Sequence, residues 1–337
     1  MFGGWEYNMR KILYGIIGII IILFIFVLAD AYGIGGGKNP VDIKIEQGAG
    51  TSVIANKLKA SGIISYKSVF KIYSRITGKH IYQMGTHKFN SSMSYKEIIK
   101  VLQTAPENEE VQILIPEGYE LRQIADVLEE NGLINRDVFM SEVETGNFDY
   151  DFVSQIPNRS NRLEGYLFPD TYIFSINETE HEIIDKMLAN FNNQVVPVYK
   201  QSGCSMSLDD VVILASVIER EAAGDEDRGK VASVFINRIN SGMNLESCAT
   251  VQYILKERKS ILSVEDTKID SPYNTYKNSG LPIGPISAPG IKSINAAIYP
   301  EKTNYMYFLA SEDGSYSLFS ETFEEHLENQ KRIQGNK

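Results

Sequence analysis

The sequence predicts an α+β protein with a single N-terminal transmembrane helix, strand–helix–helix modules and a C-terminal mixed α/β domain. Three observations carry this. Residues 12–29, ILYGIIGIIIILFIFVLA, contain no charge. A strand–helix–helix pattern beginning at Val41 recurs about 70 residues later. Beyond residue 160, a nearly all-apolar helical stretch, a long irregular segment and a hairpin follow in order.

The apolar run is near the length that crosses a bilayer as a helix. Arg10 and Lys11 precede it and Asp30 follows it. Flanking cations stay on the cytoplasmic side, so residues 1–11 are expected inside and the remainder outside. Ala29-Asp30-Ala31 also reads as a signal-peptide cleavage site. The run, however, is longer than the core of about 7–15 residues usual in a signal peptide. The 337-residue chain as a whole has globular composition, 43% hydrophobic and 23% charged. A net charge of −10 and no dense basic patch argue against nucleic acid as a partner. Cys204 and Cys248 lie on the exported side, where a disulfide is allowed and two free thiols are equally compatible. His80, His87, His181 and His326 show no metal-ligand spacing, so neither metal nor cofactor is expected.

Residues 30–40 contain GIGGGKNP, which lacks the spacing of a phosphate loop and reads as a flexible linker. VDIKI (41–45) alternates as a half-buried strand. Residues 51–60 and 66–76 read as amphipathic helices, and Ser94 with Glu97 forms a capping box opening a third. VQILIP (111–116) is again a strand. The segment from Gln47 then aligns with that from Glu117, pairing Gly48 with Gly118, Ala55 with Ala125, Leu58 with Leu128 and Gly62 with Gly132. The expected modules are 41–115 and 116–160, the second a repeat or connecting unit, followed by a domain over 161–337.

In that domain Ser207 and Asp210 mark a helix start. A second helix ends at Gly242, and Ala249–Leu255 is a short third. Residues 271–290, SPYNTYKNSGLPIGPISAPG, hold four prolines and three glycines, which prevents regular structure. Two alternating runs around Asp313-Gly314 predict a hairpin, and a capping box from Thr322 to Glu325 opens the last helix.

The chemistry concentrates in VVILASVIERE (211–221). A helix buried on nearly all sides ends with Glu219 and Glu221. At 100° per residue, Val212, Ala215 and Ala222 surround Glu219, while Leu214, Val217 and Ile218 lie beneath Glu221. A buried carboxyl without a partner holds its proton, as a general acid must. The small neighbours of Glu219 leave room for substrate. Alternatively, Arg220, Arg228, Asn237 and Arg238 could satisfy both acids in ordinary ion pairs.

Five blocks in order, EGYLFPDTY (164–172), LASVIEREA (214–222), VASVFINRI (231–239), SPYNTY (271–276) and GLPIGPISAPG (280–290), resemble the endolytic murein transglycosylase family (MltG type, YceG-like). The resemblance runs over essentially the whole chain. It places the catalytic residue at Glu219 and a supporting acid at Glu221. It also puts Asn237, Arg238, Gln252, Tyr273, Asn274 and Tyr276 on positions lining a glycan groove. Glu164 matches the acid of its block, with no role derivable from sequence. Cys248 stands where the family pattern carries an acid. The first module is similar to LysM modules, which bind cell-wall glycan; a plain α+β packing unit is the alternative.

The implied reaction is non-hydrolytic cleavage of the N-acetylmuramic acid β-1,4 bond to N-acetylglucosamine, leaving a 1,6-anhydro end. Peptidoglycan strands are the expected substrate, the cytoplasmic membrane the anchor, and peptidoglycan synthases the expected protein partners. Two other readings stay open. One is a hydrolytic muramidase pairing Glu219 with Glu221, Glu164 or Asp170, although Glu219 and Glu221 point about 200° apart. The other is a non-enzymatic, membrane-tethered scaffold that binds wall glycan.

Overall fold

The computed structural model describes residues 3–46, 48–78, 82–104, 110–259, 261–311, 314 and 316–335. Gln47, His80 and Asp313, named above, lie outside the described residues. The chain divides into two compact units, Met1–Glu109 and Glu110–Lys337.

The first unit begins with helix α1 (Gly3–Ala31). Within it Leu13–Ala31 is long and apolar enough to cross a membrane, and its large apolar side chains from Leu13 to Leu28 are exposed rather than packed into a protein core. This fits a single-pass anchor. Strand β1 (Val41–Ile45), helices α2 (Thr51–Ala60) and α3 (Lys67–Ile76), strand β2 (Gly85–Phe89) and helix α4 (Tyr95–Gln103) follow. β1 and β2 pair antiparallel from Val41↔Phe89 to Ile45↔Gly85. The strand alternation sends Ile43 and Ile45 inward against Ile54, Leu58, Phe70 and Ile98. The Ser94–Glu97 capping box is formed. Asp30, at the end of α1, accepts from the Ser65 amide at 2.7 Å, the Tyr66 amide at 3.2 Å and the Tyr95 hydroxyl.

The glycine-rich segment does not behave as a free linker. A Cβ on Gly33 would fall 2.2 Å from the Ser92 carbonyl oxygen, and one on Gly36 would fall 1.9 Å from that of Ser91. These glycines let two backbones touch, a long-range demand that local composition does not reveal.

The second unit opens with β3 (Glu110–Leu114), α5 (Leu121–Glu130), α6 (Arg136–Thr145), α7 (Asp151–Gln155) and β4 (Thr171–Ser175). β3 and β4 pair antiparallel from Glu110↔Ser175 to Leu114↔Thr171. The repeated strand–helix–helix pattern is therefore completed by a returning strand in both places, β2 in one and β4 in the other. In the second copy that strand lies beyond residue 160, so the repeat is built into the same compact unit as the rest of the C-terminal chain.

Helices α8 (Glu180–Gln194), α9 (Val196–Ser202), α10 (Leu208–Glu221), α11 (Arg228–Asn240), α12 (Cys248–Leu255) and α13 (Ile291–Ile298) follow. The hairpin β5 (Tyr307–Ala310)/β6 (Ser317–Ser320) and helix α14 (Phe323–Gly335) close the chain. Ser207 caps α10 by accepting from the Asp210 amide at 3.1 Å. Every residue from Val211 to Ile218 is buried, and α11 and α13 pack against α10. Each large apolar side chain buried there contributes about 1.5–3 kcal/mol. The core thereby fixes where α10 ends, and with it the three charged residues of its last turn.

Candidate active site

Glu219, Arg220 and Glu221 leave the end of α10 in different directions and meet different partners. The Glu219 side chain is only 6% exposed. Its Oε1 accepts from Arg228 Nη1 at 3.0 Å and its Oε2 from the Gly290 amide at 3.0 Å. Arg228 Nη1 also reaches Ser293 Oγ, and its Nε donates to Asp225 Oδ1 at 3.1 Å. Lys292 pairs with the same Asp225. The expectation of a carboxyl buried without a partner is thus corrected: Glu219 is ion-paired, because the turn into α11 returns Arg228 to the end of α10.

A second acid stands beside it. After β3 the chain turns through Pro116–Gly118, and the Gly118 amide donates to the Ala288 carbonyl at 2.8 Å while the Ala288 amide donates to that of Tyr119 at 2.7 Å. This pairing lays residues 117–119 along the irregular 286–290 segment. Gly118 has φ +77°, and a Cβ there would sit 3.6 Å from Glu219 Cγ. A Cβ on Gly290 would fall 1.9 Å from Glu117 Oε1, so the Glu117 carboxyl rests against that glycine. Burial and the Glu219 charge push the Glu117 carboxyl above the ordinary glutamate range, against the opposing pull of Arg228 and Lys292. Sequence reading passed over Glu117. Its signal was present in the Gly48/Gly118 repeat alignment, one residue away.

Arg220 pairs with Glu120 at 3.1 Å, both almost fully buried, and Glu120 also holds Arg122 at 2.6 Å. Glu221 turns toward α12, where Oε1 accepts from Ser247 Oγ at 2.5 Å and the Ala249 amide at 3.0 Å. It is a charged cap on that helix's N-terminus.

Glu164, 1% exposed, accepts from the Leu121 amide at 2.9 Å and hydrogen-bonds Tyr253 Oη at 3.0 Å. Burial pushes its carboxyl up to about 8, against the opposing effect of these hydrogen bonds. It lines a cavity of about 300 Å³ together with Asn161, Tyr253 and Tyr273. The rings of Tyr253 and Tyr273 stand 4.9 Å apart at 47°.

The remaining residues on groove positions divide. Tyr273 lines the cavity. Tyr276 Oη lies 3.1 Å from Cys248 Sγ, and Gln252 Nε2 donates to the Lys259 carbonyl at 2.8 Å. Asn237 instead donates to the carbonyls of Thr303 and Tyr305 at 2.9 Å each. Arg238 binds the carbonyls of Leu245 and Met306. Asn274, fully buried, donates to those of Thr267 and Ile269. These three side chains are engaged with backbone carbonyls, holding irregular chain that has no ladder partners of its own. Cys204 and Cys248 are free thiols. Among the described residues, no cluster of three or more His, Cys, Asp or Glu is arranged to hold a metal.

Residues 43–332 match the YceG-like family. The chain is 35% identical over 301 residues to an endolytic murein transglycosylase of Bacillus subtilis (strain 168), covering 86% of this chain and 83% of that protein. It is 29% identical over 319 residues to an endolytic murein transglycosylase of Streptococcus pneumoniae serotype 2 (strain D39), covering 87% of this chain but only 58% of the pneumococcal protein. A crystal structure of a yceG-like protein from Listeria monocytogenes superposes with a TM-score of 0.57 at 33% identity, covering 87% of this chain and 99% of that one. The blocks read from the sequence, the paired βααβ topology and these relatives agree: the chain belongs to the YceG-like family.

Proposed function

We propose that this protein is a membrane-anchored endolytic peptidoglycan lytic transglycosylase with Glu219 as its general acid and base. One observation carries the reading: a buried glutamate ends the central helix between Arg228 and the Gly290 amide, with a second carboxyl, Glu117, beside it. The named relatives supply the substrate class, peptidoglycan.

In this mechanism Glu219 gives a proton to the glycosidic oxygen as the C1–O4 bond breaks. As carboxylate it then takes the proton of the muramic acid C6 hydroxyl, whose oxygen bonds to C1 and closes the 1,6-anhydro ring. The nucleophile belongs to the substrate, so no water need be activated. Arg228 and the Gly290 amide hold the Glu219 carboxyl in one place through both halves. A glycan laid over Glu117 and Glu219 removes water from two neighbouring acids and favours retention of one proton between them, as the first half needs.

In the same reading α1 spans the cytoplasmic membrane with the N-terminus inside and the catalytic unit outside. The first βααβ unit acts as a LysM-like glycan-holding module, and peptidoglycan synthases supply nascent strands. A second reading, hydrolysis by two carboxylates, is favoured by the closeness of Glu117 to Glu219, whereas Glu221 is turned to α12. Mass spectrometry of products from uncrosslinked nascent glycan separates the two. Anhydro ends support the transglycosylase and reducing ends the muramidase. Glu219→Gln should abolish cleavage while the chain stays folded. Full cleavage by that variant removes the assignment, and no cleavage by the unaltered chain points to a scaffold.

A further inference from the structure

The first unit carries a charge balance opposite to that of the chain. Residues 41–103 contain ten lysines and arginines against three acids, whereas the whole chain carries −10. No short run is dense in cations, so the fold decides where they gather. Helix α3 turns Phe70 into the core, with Val69 and Tyr73 packed against that core. Its outer side bears two parallel lines. Lys67, Lys71 and Arg75 follow at four-residue spacing, and Ile72 and Ile76 follow at the same spacing beside them. Ile72 is 59% exposed and Ile76 79%. Lys67 donates to Asn56 Oδ1 at 3.0 Å. Among the described residues, Lys57 is paired with Glu46, but no acid is paired with Lys71 or Arg75. An exposed apolar line flanked by cations is the pattern of a helix that lies in a membrane interface.

The attachment of α1 brings a membrane to that helix. Asp30, at the end of the apolar span, accepts from the Ser65 and Tyr66 amides that lead into α3. Gly33 and Gly36 rest against Ser92 and Ser91, and the Gly37 amide donates to Ser91 Oγ at 2.9 Å. The unit is thereby tied to the end of α1 at two points. A cleft of about 240 Å³ at this junction joins Phe26 of the span to Ser65, Tyr66 and Ser91 of the unit. Tyr32, directly after the span, is exposed, and tyrosine is favoured at a membrane–water boundary. Ten helical residues reach only about 15 Å, so Ile76 stays close to the Asp30 clamp. We propose that α3 docks on the surface of the membrane that α1 spans, with Ile72 and Ile76 entering the headgroup boundary and Lys71 and Arg75 facing anionic phospholipid. The proposal rests on the reading of α1 as a membrane span. An anionic wall polymer would satisfy Lys71 and Arg75 but would leave Ile72 and Ile76 in water, so the apolar line favours lipid. The first unit is then held down on the bilayer at a fixed height rather than swinging on a tether.

The chain has one tryptophan, Trp5, which makes the test direct. The full-length chain carrying Trp5→Phe and Ile76→Trp is reconstituted into lipid nanodiscs whose acyl chains are brominated near the headgroup. The discs contain phosphatidylcholine alone or with one part in four of phosphatidylglycerol. The tryptophan at position 76 should be quenched in the anionic discs and released by raising salt from about 0.1 M to about 1 M. Lys71→Glu with Arg75→Glu should lower the docked-to-undocked ratio at least about 30-fold, since each cation near an anionic surface is worth about fivefold. Both sites are exposed, so thermal unfolding of that variant should not change. Ile72→Ser should weaken docking while leaving its salt dependence. Absence of quenching in the anionic discs, or quenching equal in both discs and unmoved by the charge reversal, overturns the proposal. Binding of a soluble glycerol-phosphate polymer through Lys71 and Arg75 without quenching would overturn it in favour of a wall polymer. A chain that fails to co-elute with the discs would overturn the anchor reading and this proposal with it, whereas co-elution without quenching overturns the proposal alone.

Discussion

The carboxylate of Glu219 and the guanidinium of Arg228 meet at 3.0 Å where α10 hands over to α11, both side chains largely shielded from water. Removing one partner leaves the other charge buried. Arg228→Met should therefore destabilise the protein by about 3 kcal/mol, read as a lower urea midpoint at unchanged slope. Arg228→Lys should recover part of that loss. An unfolding curve for Arg228→Met that overlays the unaltered protein's would mean that the pair is not formed in solution.

Gly290 separates Glu117 from Glu219 by contact rather than by distance. A methyl there would fall on Glu117 Oε1, the mobile end of a surface side chain. Gly290→Ala should cost only about 1 kcal/mol, because Glu117 can swing into water. Its carboxyl should then titrate in the ordinary glutamate range. Carboxyl-carbon NMR would follow this directly. Glu219→Gln should lower the Glu117 titration as well, since it removes the neighbouring negative charge. If neither variant moves it, the two acids do not share a site.

Glu164 makes stability depend on pH. Its folded value of about 8 lies above the ordinary 4.5. Below pH 4.5 the group is neutral folded and unfolded, and its burial carries no charge penalty. Between 4.5 and 8 only the unfolded chain releases the proton, so stability falls with rising pH. Above 8 the loss is complete, amounting to about 4–5 kcal/mol at about 1.4 kcal/mol per unit. Glu164→Gln should flatten that slope. Chemical denaturation at pH 5 and pH 9 compares the two, and equal slopes would contradict the raised value.

Glu221 has the geometry of a cap. Glu221→Gln keeps the shape but removes the charge from the N-terminus of α12, at a cost of about 1 kcal/mol. Glycan cleavage should fall far less than in Glu219→Gln. A loss as deep as that of Glu219→Gln would instead place Glu221 in the chemistry.

Several elements were legible because their causes are local. The apolar run of α1, the alternation of β1 and the caps at Ser94 and Ser207 each lie within one turn or strand of the residues they organise. The repeat showed through its glycines, since Gly62 and Gly132 both adopt positive φ at a helix stop. Strands β2 and β4 did not show. GTHKF and TYIFS are short, and what makes them strands is pairing with segments 40 or more residues away. Asn237, Arg238 and Asn274 carried polar side chains of the right kind for a groove, but a motif position does not reveal that a side chain is already engaged with a backbone carbonyl.

Sequence by itself determined the membrane-length helix, the duplicated strand–helix–helix pattern, the buried helix ending in Glu219 and Glu221, and the family resemblance. All rest on periodicity, spacing and order along the chain. Tertiary structure alone decided that Glu219 is clamped by Arg228 and Gly290, that Glu117 joins it, that Glu221 caps α12, and that Glu164 faces a cavity. The physical reason is range. An acid's charge state and role follow from what stands within about 4 Å of it, and around Glu219 those neighbours come from residues 117–118, 228 and 290, brought together only when the chain has closed on itself.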